Sequence, residues 1–212
     1  MRSHTKKRRG KDQSGGTKPE RKRNEEISVR IASAGAKIIC ASAGSRAFLL
    51  SGGEGEESRW LELRGEGEGG AAHGNHIKCV ELSSCGQYLA SSGDDKILKV
   101  WRVDERQCLW SVSLPKKVSS LAFSPDSRYV FAGDKFGDVW CVSVSSPKKK
   151  EDGSSDIEAT RVLGHFCSAI TCLSISPCGK YIASGDRDRK VSAADPALLG
   201  SAPKLRSALV LT

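Results

Sequence analysis

The chain has 212 residues, a net charge of +9 and 22 glycines, and 38% of its residues are hydrophobic. That length fits one or two domains, and low apolar content with abundant glycine points to many turns plus a part that does not fold. No run of 18 apolar residues occurs, so neither a transmembrane helix nor a membrane partner is expected. No apolar stretch at the start looks like a secretory signal, so the eight cysteines read as reduced, intracellular thiols.

Positive charge is concentrated at the beginning. Residues 1–30 hold 11 Lys/Arg against 4 Asp/Glu, which leaves 23 against 21 for the remainder. Few large apolar groups lie there to offset the entropy of ordering, so a disordered basic tail is expected over 1–30. Within it, Lys6-Lys7-Arg8-Arg9 and Arg21-Lys22-Arg23 stand 11 residues apart. This spacing resembles a bipartite nuclear-import signal and implies the nucleus. A solvated tail and an RNA-binding arm are the alternatives.

Strands are expected at 37–41, 47–51 and 59–63, which together read as a degenerate first copy of a repeated unit. The Gly/Glu-rich stretch 64–75 is a flexible connection. Its glycines do not form a nucleotide loop, because no strand–loop–helix pattern surrounds them and Lys followed by Ser/Thr is missing. A full unit follows, with strands at 77–82, 88–92, 97–103 and 107–113. The next has strands at 118–123, 129–133 and 139–144, a charged insert at 147–156, and a fourth strand near 157–163. Strands at 170–175 and 181–184 begin another copy, which then fades.

The hairpin 129–144 shows the design most clearly. Two runs rich in β-branched and aromatic residues flank Gly133-Asp134-Lys135-Phe136-Gly137, the mark of antiparallel strands joined by a tight turn. Tyr88, Tyr129 and Tyr181 open equivalent hairpins. Tyr88 and Tyr129 are 41 positions apart, and Tyr129 and Tyr181 are 52 apart including the insert. A period of about 40–45 residues with four strands per unit is the sequence signature of a β-propeller blade of the WD type.

Individual polar residues fit structural roles. Cys79 and Cys85 are six apart, as are Cys172 and Cys178, because both pairs sit at equivalent repeat positions. With no Cys-x-x-Cys, packing is expected rather than zinc, even with His73 and His76 nearby. One of those histidines is expected to be the structural histidine of its blade rather than a base. Asp95, Asp134 and Asp186 recur at turns, where aspartate bonds to nearby backbone N–H groups. Lys148-Lys149-Lys150 reads as part of a solvated insert, with an RNA contact as the alternative. No nucleophile–base pair, metal set or phosphate loop emerges, so an independent enzyme is disfavoured.

Gly164-His165, Ser176-Pro177-Cys178-Gly179, Val100-Trp101 and Val139-Trp140 resemble the recurring features of WD repeats. That resemblance implies a buried His–Ser–Asp–Trp hydrogen-bond network, carried in the last unit by His165, Ser184 and Asp186. Gly133-Asp134-Lys135-Phe136-Gly137-Asp138-Val139 and Gly185-Asp186-Arg187-Asp188-Arg189-Lys190-Val191 make a narrower match. They look like the WD-repeat non-catalytic subunit of tRNA (guanine-N7)-methyltransferase.

The resemblance covers about 31–192 and implies an all-β, incomplete WD-repeat propeller of about three to four blades out of about seven. The chain would then be C-terminally truncated, with residues 193–212 an atypical tail. Such an open array exposes sheet edges and is expected to be poorly soluble without a partner. The implied function is a non-enzymatic scaffold, needed for N7-methylguanosine formation in the tRNA variable loop. It would pair as a heterodimer with a separate catalytic subunit, stabilise and position it, and meet tRNA mainly through the complex. The chain itself would take no cofactor, since S-adenosylmethionine belongs to the catalytic partner. Lys135 is the implied partner contact, with Asp186, Arg187, Asp188 and Lys190 as a second group. Arg189 stands where the family has an acidic residue, and Ser192 where it has arginine. A generic WD-repeat interaction scaffold in a nuclear complex is the alternative function, and RNA binding through 1–30 a third.

Overall fold

The computed structural model describes residues 27–31, 38–51, 59–65, 70–145, 158–164 and 168–194. They form an all-β array of four consecutive antiparallel sheets. The first contains β1 (Ile27–Ile31), β2 (Ile38–Ala43), β3 (Arg46–Ser51) and β4 (Arg59–Leu63). The second contains β5 (Ile77–Leu82), β6 (Tyr88–Gly93), β7 (Ile97–Arg102) and β8 (Gln107–Ser113). The third contains β9 (Val118–Phe123), β10 (Tyr129–Asp134), β11 (Asp138–Ser143) and β12 (Thr160–Gly164). The fourth contains β13 (Ile170–Ile175), β14 (Ile182–Asp186) and β15 (Val191–Ala194). Each sheet pairs its strands in chain order, which is the blade of an incomplete WD-type propeller.

The strands follow from the sequence. β6 and β10 are buried along almost their whole length, because each inner strand meets a neighbouring sheet on both faces. Successive side chains point to opposite faces. Leu89 therefore joins Leu49, Leu63 and Trp101 in the layer between the first two blades, while Ala90 joins Leu121, Phe123 and Val130 in the layer between the second and third. Phe131, Cys141, Ile170 and Ile182 fill the layer between the third and fourth. Trp101 is completely buried.

Two expected boundaries move. The strand β1 (Ile27–Ile31) begins inside the stretch expected to be a disordered tail, and it pairs with β2 from Ile27↔Ala43 to Ile31↔Ile39. Ile27-Ser28-Val29-Arg30-Ile31 alternates with the period of two of a strand, a pattern masked by the charge density of the residues before it. The first blade thus has four strands rather than a partial set. At the other end β15 runs to Ala194, two residues past the expected limit, and pairs with β14 from Gly185↔Val191 to Ile182↔Ala194. Residues 1–26 with both basic clusters, the insert 147–156, His165 and residues 195–212 lie outside the described residues.

Glycine is required where one blade's backbone crosses another strand. A Cβ at Gly93 would lie 2.0 Å from the backbone oxygen of His76, and one at Gly133 would lie 2.6 Å from Ile170 Cγ2 of the next blade. The first neighbour is backbone and cannot rotate away. Gly93→Ala is therefore expected to lower unfolding free energy by about 1–3 kcal/mol, the usual cost of overpacking. Denaturant titration followed by tryptophan fluorescence checks this, and an unchanged midpoint would contradict it.

Candidate partner-binding face

The turns joining the second and third strands of each blade share one construction. Asp94 N donates to His76 O at 3.0 Å, Lys135 N to Lys117 O at 3.0 Å, and Arg187 N to Ala169 O at 2.9 Å. In each case the acceptor immediately precedes the blade's innermost strand. Two residues further on the backbone turns left-handed, at Lys96 (φ 64), Gly137 (φ 97) and Arg189 (φ 66). Asp94, Lys135 and Arg187 are thus equivalent positions on consecutive blades, at the same end of their sheets.

This repeated geometry brings Lys135 next to the second blade. Its Nζ lies 3.8 Å from Asp94 Oδ1, and Lys117 Nζ lies 3.1 Å from the same oxygen. That carboxylate oxygen is buried and makes no well-aligned hydrogen bond, so its compensation is the charge of the two ammonium groups. Two lysines on one carboxylate leave a local positive surplus. Lys135 keeps 45% of its side chain exposed. Beside it Phe136 is 58% exposed, with Lys116 Nζ 4.3 Å from its ring centroid. An exposed aromatic ring among cations is an arrangement typical of a binding surface rather than of a core.

Two aspartates of the turns are not surface contacts. Asp134 is fully buried. Its Oδ1 accepts from Phe136 N at 2.8 Å and from Asp138 N at 3.0 Å, and its Oδ2 accepts from Trp140 Nε1 at 3.1 Å. Asp186 occupies the equivalent place, is 7% exposed, and accepts from Lys190 N at 2.9 Å. Of the expected second group, Arg187, Asp188 and Lys190 are exposed, with Arg187 Nε 4.0 Å from Asp188 Oδ1. Asp186 instead shapes the turn that presents them.

The polar network implied by the WD resemblance is fully formed in the second blade, on different residues from those expected in the fourth. His73 is buried. Its Nδ1 lies 2.7 Å from Asp95 Oδ2 and its Nε2 lies 2.7 Å from Ser91 Oγ. Trp101 Nε1 donates to Ser91 Oγ at 2.8 Å, and Ile97 N donates to Asp95 Oδ1 at 3.1 Å. His73 is thus the structural histidine, with both ring nitrogens engaged. Burial pushes the Asp95 carboxyl up, but the hydrogen bond and charge of His73 with the Ile97 and Gly74 amides outweigh it and hold the group below its ordinary value.

Strand register corrects the repeat alignment. Leu89 pairs with Trp101 and Val130 with Val142, so Val142 stands at the closing-tryptophan position and Trp140 does not. Likewise Asp188, not Asp186, is the counterpart of Asp95, and in the third blade that position is Phe136, two residues after Asp134. The Gly-Asp pairs 93–94, 133–134 and 185–186 invite an alignment that sets the second blade one residue off the true register.

The cysteines sit at the expected repeat positions. Cys79 is buried in β5 and donates to Ser92 O at 3.7 Å, Cys172 lies in β13, and Cys85 and Cys178 are exposed in turns. Among the described residues no three His, Cys, Asp or Glu side chains group as metal ligands, and no helix is long and apolar enough to cross a membrane. Lys116, Lys117, Phe136 and Asp94 were not singled out from sequence. Aligning the residue before each innermost strand would have placed Lys117 beside the Lys135 turn.

A family model described as the tRNA methyltransferase TRM82 WD40 domain matches residues 2–162, and one described as WD domain, G-beta repeat matches residues 158–193. Among curated proteins, the chain is 30% identical over 142 residues to the tRNA (guanine-N(7)-)-methyltransferase non-catalytic subunit wdr4 of Dictyostelium discoideum, covering 62% of this chain and 30% of that protein. It is 33% identical over 127 residues to the Xenopus laevis protein of the same name, covering 58% and 30%. It is also 30% identical over 105 residues to WD repeat-containing protein 18 of Danio rerio, covering 49% and 24%. The chain spans about a third or less of the length of these relatives.

Removing the Ser91 hydroxyl leaves His73 and Trp101 buried without their shared partner. Ser91→Ala is expected to cost about 2–3 kcal/mol in denaturant titration. The Asp95 carboxylate contributes stability that is fully present above its ordinary pKa near 3.8 and lost as pH falls through its lower folded value. In Asp95→Asn the acid limb of the stability–pH curve is expected to flatten in that range. An unaltered acid limb would contradict the assignment.

Proposed function

Because this chain belongs to the tRNA methyltransferase TRM82 WD40 domain family, we propose that it serves as a non-catalytic scaffold subunit in tRNA (guanine-N7) methylation. Its partner is a separate catalytic subunit that carries S-adenosylmethionine and the chemistry, and it meets tRNA mainly through that complex. The observation that carries the reading is the turn face. Lys135 and Lys117 share one carboxylate, and exposed Phe136 lies against Lys116.

Such a face suits an acidic partner surface. An exposed ion pair contributes only about 0–1 kcal/mol. Desolvated beneath a docked protein it contributes more, and interface anchors often cost about 2 kcal/mol or more when truncated. Burying the Phe136 ring adds about 1.5–3 kcal/mol of apolar transfer. Lys135 can exchange Asp94 for a partner carboxylate while Lys117, the nearer cation, keeps Asp94 compensated. Arg187, Asp188 and Lys190 extend the same face onto the next blade. Held there, the catalytic subunit has its tRNA-binding elements fixed in place, so the protein contributes by orientation rather than by a reacting group. The clusters Lys6-Lys7-Arg8-Arg9 and Arg21-Lys22-Arg23 would take the complex to the nucleus.

Co-expression with the cognate catalytic subunit tests the face. Wild type is expected to co-purify with it, and Lys135→Glu combined with Phe136→Ala to reduce recovery at least tenfold while circular dichroism stays unchanged. Undiminished recovery would contradict the reading. Recovery of other proteins but no methyltransferase would favour a generic WD-repeat scaffold, a role to which the similarity to WD repeat-containing protein 18 also lends itself.

A further inference from the structure

At the opposite ends of the sheets, the turns between the first two strands repeat a second device. Ser83, Ser124 and Ser176 each donate their N–H to the carbonyl of Tyr88, Tyr129 and Tyr181, at 2.8, 2.9 and 2.9 Å. Each serine Oγ accepts the tyrosine N–H, at 2.9, 3.0 and 3.0 Å. The residue two after each serine is Cys85, Asp126 or Cys178.

In the third blade this position holds an anion. Asp126 Oδ1 accepts from Ser124 Oγ at 2.5 Å and from Arg128 N at 3.1 Å. The Ser124 bond is the main reason its carboxyl lies below the ordinary value. In the second blade a sulfur takes the place of that carboxylate. Ser83 Oγ lies 3.3 Å from Cys85 Sγ, and the Gln87 amide, counterpart of Arg128 N, acts on the same thiol. An independent feature comes from the neighbouring blade. Ser127 is 8% exposed, its Oγ has no hydrogen-bond partner, and it is a hydroxyl within reach of Cys85. Adjacent turns of this kind do abut: a Cβ on Gly179 would lie 3.9 Å from Pro125 Cδ. A buried donor left unsatisfied beside a neutral thiol is satisfied when that thiol ionises.

We propose that Cys85 is a modification site, an exposed thiolate held in an anion-accepting turn, which exchanges with low-molecular-weight disulfides. The Cys85 thiol releases its proton to solvent. The thiolate attacks one sulfur of the disulfide, the old S–S bond breaks as a new one forms to Cys85 Sγ, and the other half leaves as a thiolate. Burial tends to raise the Cys85 thiol, but the Ser127 and Ser83 hydroxyls with the backbone amides bring it below its ordinary value. A larger thiolate fraction at neutral pH is the condition for selective reaction. The turn lies at the far end of the sheets from Lys135, so an adduct there leaves the partner-binding face open.

The test uses the full chain, glutathione disulfide at pH 7, and mass spectrometry of each cysteine peptide over time. Cys85 is expected to form the mixed disulfide several-fold faster than Cys108, which is also exposed but donates to the carbonyl of Trp110. Ser127→Gly is expected to slow Cys85 at least threefold and leave Cys108 unaltered. The left-handed φ of 58° at residue 127 suits glycine, so the fold should be kept. In denaturant the advantage of wild-type Cys85 over Cys108 is expected to vanish, which tests the turn without any substitution. Equal rates in the folded chain, or an advantage that persists in denaturant, would overturn the proposal.

Discussion

Burial of each inner strand on both faces is the constraint from which the rest of the structure follows. β6 and β10 have almost no solvent-facing side, so the second and third sheets depend on a neighbour on either flank. Leu89 and Ala90, adjacent in sequence, belong to different interblade layers. This brings equivalent turns of successive blades side by side. The Lys135–Asp94 contact and the reach of Ser127 to Cys85 both result from that stacking, since each joins the turn of one blade to the equivalent turn of the next.

Repetition also separates structural polar groups from those free to act. His73, Ser91, Asp95 and Trp101 satisfy one another inside the second blade. The third blade has Ala132, Phe136 and Val142 at the positions of Ser91, Asp95 and Trp101, and it closes its turn through Asp134 and Trp140 instead. Loss of the aspartate from that site puts Phe136 on the surface, and with Lys135 beside it a structural turn becomes a candidate contact. Burial also raises the Cys141 thiol to about 12, so this cysteine is inert while Cys85 lies in a donor-rich turn.

Much of the fold was legible because strand periodicity and turn punctuation agree. β5, β8, β9 and β13 fall on the limits expected from sequence. β1 was missed because its alternation is short and follows a highly charged stretch. The shift that confused Asp186 with Asp188, and Trp140 with the closing tryptophan, needed strand register to resolve. Lys135 was reached through the family resemblance. Its partners Asp94 and Lys117 were not, because ion pairs between blades leave no local pattern. The left-handed Ser127 was equally hidden, standing where the neighbouring repeats have glycine.

The most direct test of the scaffold account is a reconstituted methylation assay, reading N7-methylguanosine in tRNA with the purified catalytic subunit and S-adenosylmethionine, with and without this chain. The account predicts that adding the chain raises the rate at least tenfold over the catalytic subunit alone, while the chain alone gives none. A rate that does not change on saturating addition would contradict it.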